Sequence, residues 1–79
     1  MKINTTLEKF TEGLSVIEQQ GGRVSRKLLD HTIEGNASIS GVLANFEFDH
    51  GALTIEIVRK PFLATTEMIE EKIREFFKS

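Results

Sequence analysis

The chain has 79 residues and no cysteine, and its ten Lys and Arg residues stand against twelve Asp and Glu residues. This length predicts a single domain over residues 1–79 with a thin core. Without cysteine, neither a disulfide nor a thiolate zinc site can stabilise it. The acidic balance, with a sequence pI of about 5.6, argues against nucleic-acid binding through phosphates, because proteins that bind in this way usually carry a basic excess.

The sequence shows no signal for export or membrane insertion. Residues 1–6 lack the apolar segment of a signal peptide. No apolar run exceeds three residues, so we expect no membrane span. We therefore predict a soluble, cytoplasmic protein, which fits the absence of cysteine.

The first predicted element is a helix over residues 5–20. Its apolar residues recur at spacings of three and four and therefore share one face: Leu7, Phe10, Leu14 and Ile17. Thr5 and Glu8 fit a capping box at its start, and Gly21 provides a stop. Gly13 weakens a helix interior, and close packing against a sheet is the expected reason for its presence.

Residues 23–40 do not follow one pattern. Apolar residues alternate over 24–28 and again over 29–33, but in opposite phase. One strand with a bulge, or a strand followed by an irregular piece, explains the switch. Residues 34–36, Glu-Gly-Asn, predict a turn, after which a further strand begins at Ala37.

Residues 41–58 predict a hairpin of two alternating strands. Their apolar residues share one face: Val42, Ala44, Phe46 and Phe48, then Leu53, Ile55 and Ile57. The connection is a short loop over residues 49–51, where glycine is free to take a positive φ. A bulge near Ser40-Gly41 is needed to keep Ile39 on the inner face. Pro61 ends the second strand, because proline cannot donate to a sheet ladder.

A second helix closes the chain. Thr65 or Thr66 caps it, and Glu70 and Arg74 form an i,i+4 pair. Its apolar stripe comprises Ile69, Ile73, Phe76 and Phe77. The predicted fold class is therefore α+β, in the order α-β-β-β(-β)-α. An antiparallel sheet of three or four strands carries the N- and C-terminal helices on one face.

Residues that suggest catalysis are sparse. Each of the two histidines, His31 and His50, follows an aspartate, but a metal site usually needs three or more converging ligands. The serines lack a nucleophile-elbow context, and no phosphate loop or dinucleotide fingerprint occurs. We predict no catalytic residue, no metal site and no cofactor, and hence a protein that is not an enzyme.

Some apolar residues are not needed to build the predicted core. Leu43 and Val58 are expected to face away from the helices, and Phe62 precedes the final cap. An exposed apolar surface of this kind usually meets a partner or a ligand. Homodimerisation is the simplest explanation. A protein partner or a pocket for an apolar ligand is the sharper alternative. A third is that these are scattered surface apolar residues, which are normal and need no partner.

Two basic clusters provide a second candidate surface. One comprises Arg23, Arg26 and Lys27, and the other Arg59 and Lys60. If they meet at one end of the sheet, they can hold an anion or a nucleic-acid backbone. Solvated strand ends are the plainer explanation, because the domain as a whole is acidic.

The C-terminal half resembles a known family. Its strands Gly41–Phe48 and Leu53–Val58, its corner Pro61–Ala64 and its helical segment Met68–Glu75 are similar to the small bacterial polyhydroxyalkanoic acid system proteins. That family also shows a glycine-led strand, a second strand, a Pro-Phe-like corner and a helix with an Ile-Glu-x-x-Ile pattern. The likeness covers about half of the chain. It implies a small accessory or binding domain rather than an enzyme.

The leading functional prediction is a non-enzymatic bacterial accessory or binding module of unknown ligand that self-associates through its sheet. The alternative is a nucleic-acid-associated dimer, since the predicted order also resembles the helix–sheet–helix nucleoid-associated proteins.

Overall fold

The computed structural model describes residues 1–78, which form one antiparallel sheet and two helices. The strands are β1 (Lys2–Asn4), β2 (Arg23–Leu29), β3 (Thr32–Ile39), β4 (Val42–Asp49) and β5 (Ala52–Arg59). The helices are α1 (Leu7–Gln19) and α2 (Thr66–Lys78). The spatial order of the strands is β1-β5-β4-β3-β2.

The predicted α+β class and antiparallel sheet are confirmed, but the sheet has five strands instead of three or four. The additional strand at the N-terminal side is β1, which pairs with β5 so that Ile3 lies opposite Leu53. Three residues are too few to show an alternating pattern, so β1 could not be predicted from the sequence.

The interpretation of residues 23–40 as one bulged strand, or a strand and an irregular piece, is wrong. They form a hairpin, in which Leu29 pairs with Thr32 across a turn at Asp30 and His31. The turn restarts the alternation, which explains the change of phase. The predicted turn at residues 34–36 is also wrong, because these residues lie inside β3. Gly35 is needed there, since a Cβ would clash with the backbone of Ser25 on β2.

The next two hairpins use two-residue turns with positive φ at both positions, the geometry that matches the twist of paired strands. Ser40 and Gly41 have φ of 52° and 81°, and His50 and Gly51 have 48° and 81°. The turn over residues 49–51 is thus confirmed. No bulge is needed at Ser40, because the turn itself pairs Ile39 with Val42. The register shift lies between β4 and β5 instead, after Leu43.

The core lies between α1 and the middle of the sheet. Its buried residues are Phe10 and Leu14 of α1 with Phe46, Phe48, Leu53 and Ile55 of β4 and β5. The Phe10 ring stacks on Phe48 with centroids 4.9 Å apart and meets Phe46 edge-on at 5.5 Å. Such aromatic pairs add to the hydrophobic gain of burial, so α1 is firmly seated.

Threonines cap both helices. The Thr6 hydroxyl accepts a hydrogen bond of 3.1 Å from the Lys9 backbone N–H, so the cap of α1 is Thr6 and not the predicted Thr5. The Thr65 hydroxyl accepts one of 3.1 Å from the Met68 backbone N–H, which confirms Thr65 at the start of α2. Between Lys2 and Lys78, neither helix has the length and apolarity to cross a membrane.

The C-terminal end of α2 lies against α1. A Cβ at Gly13 would stand 3.2 Å from the Phe76 ring, and the Lys9 ammonium is 4.3 Å from the centroid of the same ring. The expectation that Gly13 packs on the sheet is therefore wrong, because its close neighbour is the second helix. Ile73 and Phe77 of α2 pack against the core but stay half-buried.

Candidate functional site

An apolar groove of about 610 Å³ lies between α2, α1 and the helix-covered face of the sheet. We call it the α2 groove. Its floor includes Ala37, Ala44 and Ile57, and its α2 wall includes Ile69 and Ile73. Helix α2 covers the sheet without filling the space beneath it. For this reason no residue of α2 between Thr66 and Lys78 is fully buried.

Small residues make the depression in the floor. Ala37 pairs with Ala44 across β3 and β4, and Ala44 pairs with Ile57 of β5. Two adjacent alanines leave space that leucine or phenylalanine would fill. Under α1 the equivalent positions are Phe46 and Phe48, which are buried. One face of the sheet therefore has a packed half and a hollow half.

The lining of the groove is almost entirely apolar. Its polar side chains are Gln20 and Ser40, and Lys72 of α2 is the one charged residue among the described residues that line it. Ligand sites typically combine an apolar wall with a few polar groups that orient the ligand. The arrangement fits a hydrocarbon-rich molecule, and a cation is available for one anionic group.

The opposite face of the sheet is open and polar. A row of side chains crosses all five strands through paired positions: Lys27, Glu34, Glu47, Thr54 and Lys2. Ser25, Asn45 and Glu56 lie beside this row in the same shallow depression. The centre of this face consequently offers hydrogen-bonding groups and carboxylates instead of the apolar surface that a sheet-to-sheet contact would bury.

The three predicted apolar candidates lie at the margins. Leu43 pairs with Arg59 at one end of the open face and is half-buried. Val58 lies at the register shift beside it and is 52% exposed. Phe62 lies beyond the end of β5 and is 96% exposed. Phe62 follows Pro61, which lines the α2 groove.

The five predicted cations do not converge. Arg23 and Arg59 occupy one paired row at the same end of the open face, three strand spacings apart, or about 14 Å. Lys27 lies in another row beside Glu34, and Arg26 pairs with Gly35 on the helix-covered face. The Lys60 ammonium donates a 2.9 Å hydrogen bond to the backbone carbonyl of Ala64.

The two histidines are brought together at the other end of the sheet. The rings of His31 and His50 lie with centroids 6.1 Å apart, and His50 Nδ1 contacts the Asp49 carboxylate. Within residues 1–78, however, no three histidine or carboxylate side chains are grouped so as to hold a metal ion. In the sequence the two histidines show no relation to each other. The turn with His31 precedes β3 and the turn with His50 follows β4, so the pairing of β3 with β4 brings the two turns to the same end of the sheet.

The α2 groove was not localised from the sequence. The available signal was a run of small residues on otherwise apolar faces, namely Gly13, Ala37 and Ala44, which the structure brings together around one space. That signal becomes meaningful only once the pairing of β3 with β4 is known.

Comparison of the chain with protein-family models, with curated proteins and with solved structures finds no match. The resemblance of residues 41–75 to the polyhydroxyalkanoic acid system proteins therefore stays a prediction.

Proposed function

We propose that this protein is a small, non-enzymatic binding module that holds an apolar ligand in the α2 groove. The observation that carries the proposal is an open groove of about 610 Å³ with a nearly continuous apolar lining. This volume is in the range of small-molecule sites, which run from about 300 to 1,000 Å³. A bacterial accessory role in the cytoplasm is part of the same proposal and rests on the sequence.

The energetics favour a flexible hydrocarbon chain as the ligand. Burial of one methylene contributes about 0.8 kcal/mol, so about ten methylenes contribute about 8 kcal/mol before the costs of immobilisation. A linear saturated fatty acid supplies such a chain, and its carboxylate complements Lys72 at the groove wall. The lining supports binding over catalysis, because Lys72 has no histidine or carboxylate beside it among the described lining residues.

The test is a calorimetric titration with dodecanoate. Ala44→Leu fills the floor of the groove, and we expect affinity to fall at least about tenfold, since one misplaced methylene already costs of order 1 kcal/mol. Ala52→Leu is the matched control, because Ala52 lies in β5 and pairs with Asn4 and Asp49 away from the groove. Equal affinities of both variants and the wild type would refute ligand binding in the groove.

Self-association through the sheet is a second candidate, supported by the edge strand β2. Its outer backbone groups have no partner strand among the described residues, and Leu28 is 71% exposed. An edge of this length is a template for pairing with a second copy. Sedimentation equilibrium tests it: Leu28→Lys should convert a homodimer to a monomer, whereas a wild-type monomer at high micromolar concentration ends the idea.

A nucleic-acid-associated dimer is the weaker alternative. Arg23, Lys27 and Arg59 share the open face with Glu34, Glu47 and Glu56, which repel phosphates. A salt titration of DNA binding addresses it, because phosphate contacts give a steep loss of affinity with salt. Absence of binding at low salt would exclude it.

A further inference from the structure

The connection between β5 and α2 is a turn that presents two bare apolar side chains. The Ala64 backbone N–H donates a 3.1 Å hydrogen bond to the Pro61 carbonyl, so Phe62 and Leu63 are the two central residues of the turn. They are 96% and 86% exposed. Leaving such side chains in water forgoes the gain that each obtains on burial, and adjacent exposed apolar groups usually mark a contact surface.

The turn is held in place from three sides. The Lys60 ammonium donates to the Ala64 carbonyl at 2.9 Å. Pro61 packs on the turn between β3 and β4, where a Cβ at Gly41 would lie 3.1 Å from Pro61 Cγ. The Thr65 hydroxyl then caps α2. The backbone that carries Phe62 and Leu63 is thus fixed before binding. This lowers the entropic cost of burying the two side chains against a partner.

The corner joins three features that act on one kind of partner. Arg59 and Lys60 are exposed and immediately precede the apolar tip. Pro61 and Ala64, on either side of that tip, line the α2 groove. Apolar side chains beside cations are the combination that binds the interface of an anionic bilayer, where acyl chains and phosphates lie close together.

We propose that the corner of residues 59–63 docks this protein on an anionic lipid surface. Phe62 and Leu63 insert at the acyl boundary, and Arg59 and Lys60 face the headgroup phosphates. The proposal deepens the proposed function, on which its last step rests: docking brings the α2 groove to the surface that supplies an apolar, acyl-chain ligand.

The lining of the α2 groove favours a lipid surface over a second copy of this chain. The groove of a second copy is the apolar surface that the corner could enter, but its charged lining residue is the cation Lys72. Inside the groove, Arg59 and Lys60 would find no carboxylate among the described lining residues. The open sheet face carries carboxylates, but most of the residues that line its central depression are polar or charged. An anionic bilayer satisfies both the cations and the apolar tip.

Co-sedimentation with vesicles tests the proposal. We expect the wild-type protein to pellet with vesicles of equimolar phosphatidylcholine and phosphatidylglycerol, and far less with phosphatidylcholine alone. The Phe62→Ser/Leu63→Ser variant should lower the partition coefficient at least about tenfold. Arg59→Gln should lower it about fivefold. Leu7→Ser removes a leucine that is 53% exposed at the start of α1 and does not line the α2 groove. This variant should leave the partition coefficient unchanged.

Four outcomes would overturn the proposal. The first two are failure of the wild type to pellet with anionic vesicles, and pelleting of the Phe62→Ser/Leu63→Ser variant like the wild type. The other two are an equal loss of binding in Leu7→Ser, and conversion of a dimer to a monomer by Phe62→Ser/Leu63→Ser. The last result would assign the corner to a homodimer contact. The Ala44→Leu variant separates the two proposals, because it should lose dodecanoate binding and keep vesicle binding. If the wild-type protein binds vesicles but does not bind dodecanoate, ligand binding in the α2 groove is refuted and docking of the corner on lipid is not.

Discussion

The two helices have the same length and lie on the same side of the sheet, but they are packed differently. Both α1 and α2 have 13 residues, a threonine cap and an apolar stripe. Helix α1 buries Phe10 and Leu14 against aromatic strand residues, whereas α2 faces alanines and has no fully buried residue from Thr66 to Lys78. An apolar stripe on each of two helices of equal length therefore does not give equal packing. The size of the sheet residues opposite the helix decides whether its apolar stripe is buried in a packed core or lines an open groove.

The largest expected effect lies in the stacked core under α1. Phe10→Ala removes a 3% exposed ring that touches both Phe46 and Phe48. We expect a loss of about 3–5 kcal/mol in the free energy of unfolding, measured by urea denaturation. In a domain of this size such a loss can approach the whole stability.

The matched change in α2 is Ile73→Ala. Its side chain is half-buried and already borders an open space, so we expect a cost of about 1–2 kcal/mol, below the usual range for a core isoleucine. Costs of the same size in Phe10→Ala and Ile73→Ala would show that α2 is as tightly packed as α1.

The two caps provide a finer comparison. Loss of an N-cap threonine costs about 1 kcal/mol, and Thr6 and Thr65 make equivalent 3.1 Å hydrogen bonds. We expect Thr6→Ala to lower the global free energy of unfolding by about that amount. Thr65→Ala should instead reduce amide protection within α2 by about fivefold, with a smaller global effect, because a loosely packed helix opens locally. If Thr6→Ala and Thr65→Ala lower the global free energy of unfolding equally, the two helices do not differ in how tightly they pack on the sheet.

The smallest expected effect concerns the surface of α2. The Arg74 guanidinium lies 3.8 Å from the Glu70 carboxylate, and the two side chains are 60% and 23% exposed. An i,i+4 pair of this kind contributes about 0.3–0.5 kcal/mol. Glu70→Gln should therefore lower the midpoint of thermal unfolding only slightly. A loss above about 1 kcal/mol would mean that Glu70 has a role beyond this ion pair.

The sequence predicted the parts of the fold that have a long, regular period. Helix α1 and the β4–β5 hairpin follow from spacings of three and four and from strict alternation. The β2–β3 hairpin was missed because its turn, Asp30-His31, contains no glycine, whereas Gly35 inside β3 imitates a turn. Gly35 is required because the backbone of β2 comes too close for a Cβ at this position. That close approach arises from the pairing of β2 with β3, which the local sequence does not show.

The candidate site was predicted less well than the fold. The exposed tip at Phe62 and the cations at residues 59–60 were named as candidates from the sequence. Lys60 has a structural contact as well, a hydrogen bond to the Ala64 carbonyl. The α2 groove was not, because it arises from the distance between a helix and a floor of Ala37 and Ala44. No periodicity encodes such a distance, and only the strand register brings the two alanines together.

In the proposed mode of binding, α2 is held partly off the sheet above a site for an apolar ligand. Amide hydrogen exchange, followed residue by residue with and without dodecanoate, tests this arrangement. We expect exchange in the free protein to be faster in α2 than in α1. We also expect dodecanoate to slow exchange selectively in α2 and in the facing parts of β3 and β4, because a ligand stabilises only the state that binds it. Equal protection of both helices, unchanged by dodecanoate, would show that α2 packs like α1 and that no ligand binds beneath it.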